Sequence, residues 1–355
     1  MLAHARISLD ALRHNLSRVR QLADGARVMS VIKANAYGHG LPETAEALGG
    51  SDAFAVANID EASRLRSHFP DKKIVILQGV ISQEALSLAC KLNLDVVIHH
   101  EQQLLLLQQA KLSEALSVWL KVDTGMHRLG LPAEQLAAAI DRLQGCSNEL
   151  NISLMSHFAN ADDQSDPLTE QQFGMFEQLT GQYNYSKSIA NSAGILAKQD
   201  YHLDWVRPGI MLYGVNPFTD GMPSELQLQP VMTLTATIIA IQHFSKGDRI
   251  GYGGTWTCPE DMPVAVIAIG YGDGYPRHAQ SGTPVLINGT PCPLVGRVSM
   301  DMICVDIRQA ASARVGDPVV LWGEGLPIEV VAEHSNTIAY ELLCKITGRV
   351  QREYS

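Results

Sequence analysis

VMSVIKANAYGHG, residues 28–40, runs a short apolar strand into a lysine and then into a tyrosine and two glycines. The strand, Val28–Lys33, is the first of eight. Further β-rich runs follow at Ala53–Ala57, Lys73–Leu77, Asp95–Ile98, Val118–Val122, Ile152–His157, Ser186–Ala190 and Trp205–Arg207. Between them apolar residues return at helical spacing, as at Leu104, Leu107 and Leu112, or at Leu136, Ala139, Ile140 and Leu143. Eight strand–helix alternations over about 200 residues predict an α/β fold, a (β/α)8 barrel of the TIM type.

Outward from the barrel the pattern changes. Ahead of it, SLDALRHNLSRVRQL places Leu12, Leu16, Val19 and Leu22 on one face, which predicts an additional helix capped by Ser8 or Asp10. Beyond about Gln227 the period becomes two, in VMTLTATIIAIQHF, VAVIAIGYG, PVLING, ICVDI and PVVLWG. The expected division is a barrel over residues 1–225 and a mostly β domain over 226–355. The turn formers of VNPFTDGMPSELQ mark the boundary.

Composition narrows the function. A chain of 355 residues exceeds what one hydrophobic core usually supports, and a formal net charge of −10 argues against a nucleic-acid partner. MLAHARISLD lacks an apolar leader, and no run approaches the 18 or more apolar residues of a membrane span. We therefore expect a cytoplasmic protein acting on a small molecule. The six cysteines lie far apart without a CxxC pair, so they read as reduced core or filler residues and not as a metal set.

In such barrels chemistry sits at the carboxyl ends of the strands. Here those ends carry Lys33, the TGMHR loop with Arg128, His157, the pair Asn191 and Ser192, and Arg207 ahead of Pro208 and Gly209. A lysine held among apolar neighbours loses hydration, which lowers its pKa and suits a Schiff-base nucleophile. Ser192 and Gly209 stand where barrels often bind phosphate through backbone N–H groups, although Ser192 also fits a plain helix N-cap. A lysine on one side and a phosphate cradle on the other match pyridoxal 5′-phosphate.

Nine segments, VIKANAYGHG, KVDTGMHRLG, MSHFANAD, IANSAG, WVRPGIMLYG, GYGGTW, IGYGDGYPR, GRVSMDM and AYELLC, resemble those of the alanine racemases in order from residue 31 to 344. That resemblance implies a pyridoxal-phosphate enzyme interconverting L- and D-alanine, for cell-wall peptidoglycan or for alanine catabolism. It implies that Lys33 holds the cofactor and that Lys33 and Tyr252 are the paired acid and base. Tyr37, Ser192, Gly209, Ile210 and Tyr340 would hold the phosphate, and Arg207 would face the pyridine nitrogen. His157 would support Arg207 and Tyr252, and Arg128 would contact cofactor and substrate carboxylate. Met300 and Tyr271 would close the substrate pocket, and Lys121 matches a lysine that is carbamylated in relatives. In the family the residues matching Tyr252 and Met300 come from a second subunit, which implies a homodimer with shared sites. Gly254, Trp256 and Gly272 depart from the usual family residues without touching a proposed proton donor.

The chemistry explains the set. Racemisation removes the α-proton from one face and returns one to the other, so two groups on opposite faces are the direct solution. A tyrosine, with an ordinary pKa near 10, needs cationic neighbours to act as a base, and Arg207 and His157 are the expected ones. Tyr271, Met300 and Tyr340 would leave room for little more than a methyl group, unless they simply pack a domain interface.

Other signals fail on geometry. His99 and His100 are adjacent on a strand end and point apart. DDQSDP lacks the glycine and glutamate of a calcium loop. GYGDGY runs into Pro276 and not into a helix, so it is no dinucleotide fingerprint. His127 receives no assignment. A decarboxylase on the same architecture would be expected to place an acidic residue where Arg207 stands, and a cofactor carrier would lack the second domain.

Overall fold

The computed structural model describes residues 3–218 and 226–355. The eight expected barrel strands all form. They are β2 (Arg27–Val31), β3 (Ala53–Val56), β4 (Lys73–Ile76), β5 (Asp95–Ile98), β6 (Leu116–Lys121), β7 (Leu150–Met155), β8 (Ser186–Ser188) and β9 (Trp205–Val206). Each pairs in parallel with the next and β2 pairs with β9, closing the barrel. Both faces of these strands are covered, which is why they read as continuous apolar runs: Ile74, Val75 and Ile76 are all fully buried. The helix ahead of the barrel spans Leu9–Leu22, and Ser8 is its cap, accepting a hydrogen bond from Ala11 N–H at 3.2 Å.

The second region is an eight-stranded sheet built on the long strand β10 (Met232–Phe244). A two-stranded ribbon, β11 (Arg249–Ile250) with β12 (Trp256–Thr257), stands apart from it. The remaining sheet strands are β13 (Met262–Ile267), β14 (Pro284–Ile287), β15 (Thr290–Val295), β16 (Ile303–Asp306), β17 (Pro318–Trp322) and β18 (Gln351–Tyr354). The sheet has two members that the sequence pattern hides, β18 and a strand from the other end of the chain. Strand β1 (Ala3–Ile7) lies antiparallel to β10, with Ala5 opposite Leu234, and parallel to β18, with His4 opposite Gln351. The N-terminal strand thus joins the sheet at the far end of the chain, ahead of the barrel. The expected boundary between 225 and 226 lies against residues 219–225, outside the described residues.

Two pieces of the β region reach the barrel mouth. A short helix, Ala339–Cys344, passes so close to Gly38 that a Cβ there would lie 2.2 Å from the Leu343 carbonyl oxygen. From β18, Arg352 Nε donates to Gly38 O at 2.7 Å and the Tyr354 hydroxyl donates to His39 O at 3.1 Å. None of the described helices is long and apolar enough to cross a membrane.

Candidate active site

A cavity of about 580 Å³ opens at the carboxyl ends of the barrel strands. Lys33, Tyr37, Lys121, Arg128, His157, Ser192, Arg207, Gly209, Ile210 and Tyr340 all line it. Four of these are lysines or arginines and none is a carboxylate, so the space is suited to an anion.

Lys33 stands two residues past the end of β2, outside the strand that the sequence pattern predicts for it. It opens a turn, Lys33–Tyr37, in which Ala34, Asn35, Ala36 and Tyr37 all take φ between 50° and 55°. This is left-handed helix, at about 1 kcal/mol or more for each non-glycine residue. The turn carries Lys33 at its start and Tyr37 at its end. Burial, and then Arg128, lower the Lys33 pKa, which favours the free amine as the sequence predicts.

Opposite the lysine, Asn191 caps the short helix Ser192–Ala197 by accepting from Gly194 N–H at 2.9 Å. The cap is Asn191 and not Ser192. This releases the Ser192 hydroxyl, which accepts from Gly209 N–H at 2.9 Å and from Met211 N–H at 3.4 Å. A Cβ on Gly209 would lie 2.8 Å from the Tyr37 hydroxyl, so only glycine keeps this cradle open. Burial pushes Tyr340 up to about 12 and Tyr37 higher still, so both phenols stay protonated donors.

Arg207 is buried and tied to the barrel wall. It donates to Ser188 Oγ at 2.5 Å, Ser156 O at 2.6 Å, Ile189 O at 3.1 Å and His157 Nδ1 at 3.2 Å. Burial lowers its pKa to about 10, which leaves it charged at neutral pH. The expectation that His157 supplies a second cation fails. Burial, with Arg207, Lys121, Arg128 and Lys33 around it, holds its pKa well below the ordinary value, so the imidazole is neutral and its Nδ1 accepts from Arg207.

Lys121 is pushed down to about 8 by burial, Arg207 and Arg128. His127, unassigned from sequence, ties the loop before Arg128: its backbone N–H and Nδ1 donate to Asp123 at 3.1 Å each. Cys344 also lines the cavity, half-exposed and so no core filler. Its position four residues after Tyr340, on one helix face, was the signal available in the sequence.

Tyr252, Tyr271 and Met300 do not join this cluster. They are 69%, 41% and 51% exposed on the β region, and none lines the cavity. Among the described residues no group of three or more His, Cys, Asp or Glu is placed to hold a metal ion.

Comparison with known proteins bears on both regions. A family model described as alanine racemase, N-terminal domain matches residues 7–217, and one described as alanine racemase, C-terminal domain matches 231–354. The chain belongs to the alanine racemase family. It is 52% identical to an alanine racemase of Nitrosococcus oceani over 347 residues, which is 98% of this chain and 97% of that one. Its fold matches a crystal structure of the biosynthetic alanine racemase of Pseudomonas aeruginosa with a TM-score of 0.97 and 43% identity, over 100% of this chain and 99% of that one. It also matches an alanine racemase of Bartonella henselae with covalently bound pyridoxal phosphate, with a TM-score of 0.90 and 31% identity over 100% of both chains. Alanine racemase membership makes the protein an amino-acid racemase, an isomerase.

Proposed function

We propose that this alanine racemase works on pyridoxal 5′-phosphate held at the barrel mouth, with Lys33 and Tyr252 as its two acid–base groups. The observation that carries the reading is the desolvated amine of Lys33 in the same carboxylate-free cavity as the Ser192–Gly209 cradle. The Tyr37 and Tyr340 phenols would hold the phosphate, with Ser192 and the backbone at Gly209 and Ile210. When bound, the cofactor supplies an electron sink for the charge left on Cα after proton loss.

Every other step belongs to the chain. Lys33 takes or returns the proton on one face. Tyr252, exposed on its own copy, reaches the opposite face from a second copy, with Tyr271 and Met300 narrowing the space beside a methyl group. Arg207 would face the ring nitrogen as a donor that does not give up its proton, which would weaken the sink and restrain side reactions such as transamination. His157, neutral with Nδ1 accepting, keeps its proton on Nε2 to hydrogen-bond Tyr252. Arg128 binds the substrate carboxylate. The depressed pKa of Lys121 leaves a share of neutral amine able to take up carbon dioxide, and the resulting carbamate would answer Arg128.

The test is incubation of the yellow protein with L-alanine in D2O. Loss of optical rotation with deuterium at the α-carbon and no carbon dioxide is the expected result. Release of carbon dioxide would make the protein a decarboxylase, and unchanged amino acid a cofactor carrier. The product serves peptidoglycan as D-alanine or, in the other direction, alanine catabolism in the cytoplasm.

A further inference from the structure

Four consecutive non-glycine residues in a left-handed turn need something outside the turn to hold them. His39 is placed to do it. Its ring is fully buried, with Nδ1 at 3.0 Å from both the Ala36 and the Tyr37 carbonyl oxygens. Both neighbours are acceptors, so Nδ1 carries the proton and bridges the two carbonyls at the end of the turn. The rest of the segment is tied as well: Ala36 N–H bonds Ile32 O, Gly38 N–H bonds Ala34 O, and Leu41 N–H bonds the Asn35 side chain. His39 also stacks on Tyr213, with ring centroids 4.6 Å apart, and Tyr213 packs on Tyr37 at 4.8 Å.

We infer that His39 is a positioning residue, whose Nδ1–H locks the left-handed turn so that Lys33 and Tyr37 face one cavity from its two ends. This rests on the reading that Lys33 carries the cofactor. His39 does not itself line the cavity; it reaches the lining through Tyr37, whose carbonyl it bonds and whose ring packs on Tyr213. Its Nε2 is buried without a hydrogen-bond partner among the described residues, so the fold retains a cost on one nitrogen to keep the donor on the other.

Two substitutions separate the donor from the ring. His39→Phe keeps the ring and its stacking but removes the donor; His39→Asn places an amide N–H near the position of Nδ1 and removes the ring. If the donor positions the turn, the folded Phe variant binds pyridoxal phosphate roughly tenfold more weakly in titration of the apoprotein. Its kcat falls while KM for alanine changes less than about threefold. The Asn variant keeps cofactor affinity within about threefold even if its melting temperature is lower.

Wild-type affinity in the Phe variant, or equal losses in both, overturns the inference. Should the Phe variant not fold, His39→Gln, whose N–H sits one carbon farther out, replaces it, and Gln binding as well as Asn overturns the inference equally. Borohydride reduction of the wild-type holoenzyme and peptide mapping keep the two readings apart. Attachment at Lys33 with an unaffected Phe variant sinks this inference alone, and attachment elsewhere sinks both.

Discussion

The barrel mouth and the exposed face of the β region carry the two halves of the proposed machinery in opposite ways. At the mouth, groups from strand ends far apart in sequence meet in one chain. Ser192 and Arg207 are buried, and Lys33, Lys121 and His157 are partly buried with charges altered by desolvation: the lysine pKa values are lowered and His157 is neutral. On the β region, Tyr252, Tyr271 and Met300 remain on the surface, away from the cavity. A surface of large apolar side chains that a monomer has no use for is what a second copy would cover. On the proposed mechanism, one fold would build the cofactor side of the site, and the second proton donor would be left to assembly.

The sharpest way to break this comparison is complementation. Lys33→Ala is expected to lower kcat by at least about 10⁴-fold and Tyr252→Phe by about 10²- to 10⁴-fold. If the two regions meet across subunits, co-expressed variants recover roughly a quarter of wild-type activity, because half of the randomly formed dimers hold one intact site. Mixed dimers with no recovered activity would put both groups in one chain.

Acid should discriminate next. His39 and His157 have pKa values depressed by burial, His39 to about 4. The unfolded chain takes up protons below about 6.5 while the folded one does not, so stability is intact above that pH and falls as pH drops towards 4. For His39 the loss reaches roughly 3 kcal/mol at the lower end. Urea unfolding at stepped pH reads it, and a flat profile between about pH 7 and 5 would contradict the buried neutral rings. His39→Phe should flatten part of the slope.

Lys121 sharpens the mouth further. Its amine is increasingly protonated below about pH 8, so uptake of isotopically labelled bicarbonate, followed by carbon NMR, should decline as pH falls through that value. Lys121→Ala should lower kcat/KM by about tenfold, as expected from removing one charged partner of Arg128. The smallest effect belongs to the exposed face. Tyr271→Ala should alter chain stability by no more than about 0.5 kcal/mol while widening acceptance of serine over alanine. A large stability loss measured by thermal unfolding would make Tyr271 a core residue instead.

Much of this was legible in the chain as written. Eight apolar runs separated by helical spacing point to a parallel sheet covered by helices on both faces, and the eightfold count to its closure as a barrel. The strand ends then name Lys33, Arg128, His157, Ser192 and Arg207 without any coordinates. Strands β1 and β18 were not legible, since each is short and pairs with a partner more than 200 residues away.

Tertiary structure alone decided the rest. Periodicity is local, whereas the charge on His157 depends on how completely its surroundings exclude water and on the cations gathered around it. The left-handed turn from Ala34 to Tyr37 likewise runs against the local preferences of Ala34, Ala36 and Tyr37, though not of Asn35. It is held where His39 and Arg352 donate to backbone carbonyls in and beside it and Glu61 accepts from Asn35 N–H, and only the folded chain brings Glu61 and Arg352 there.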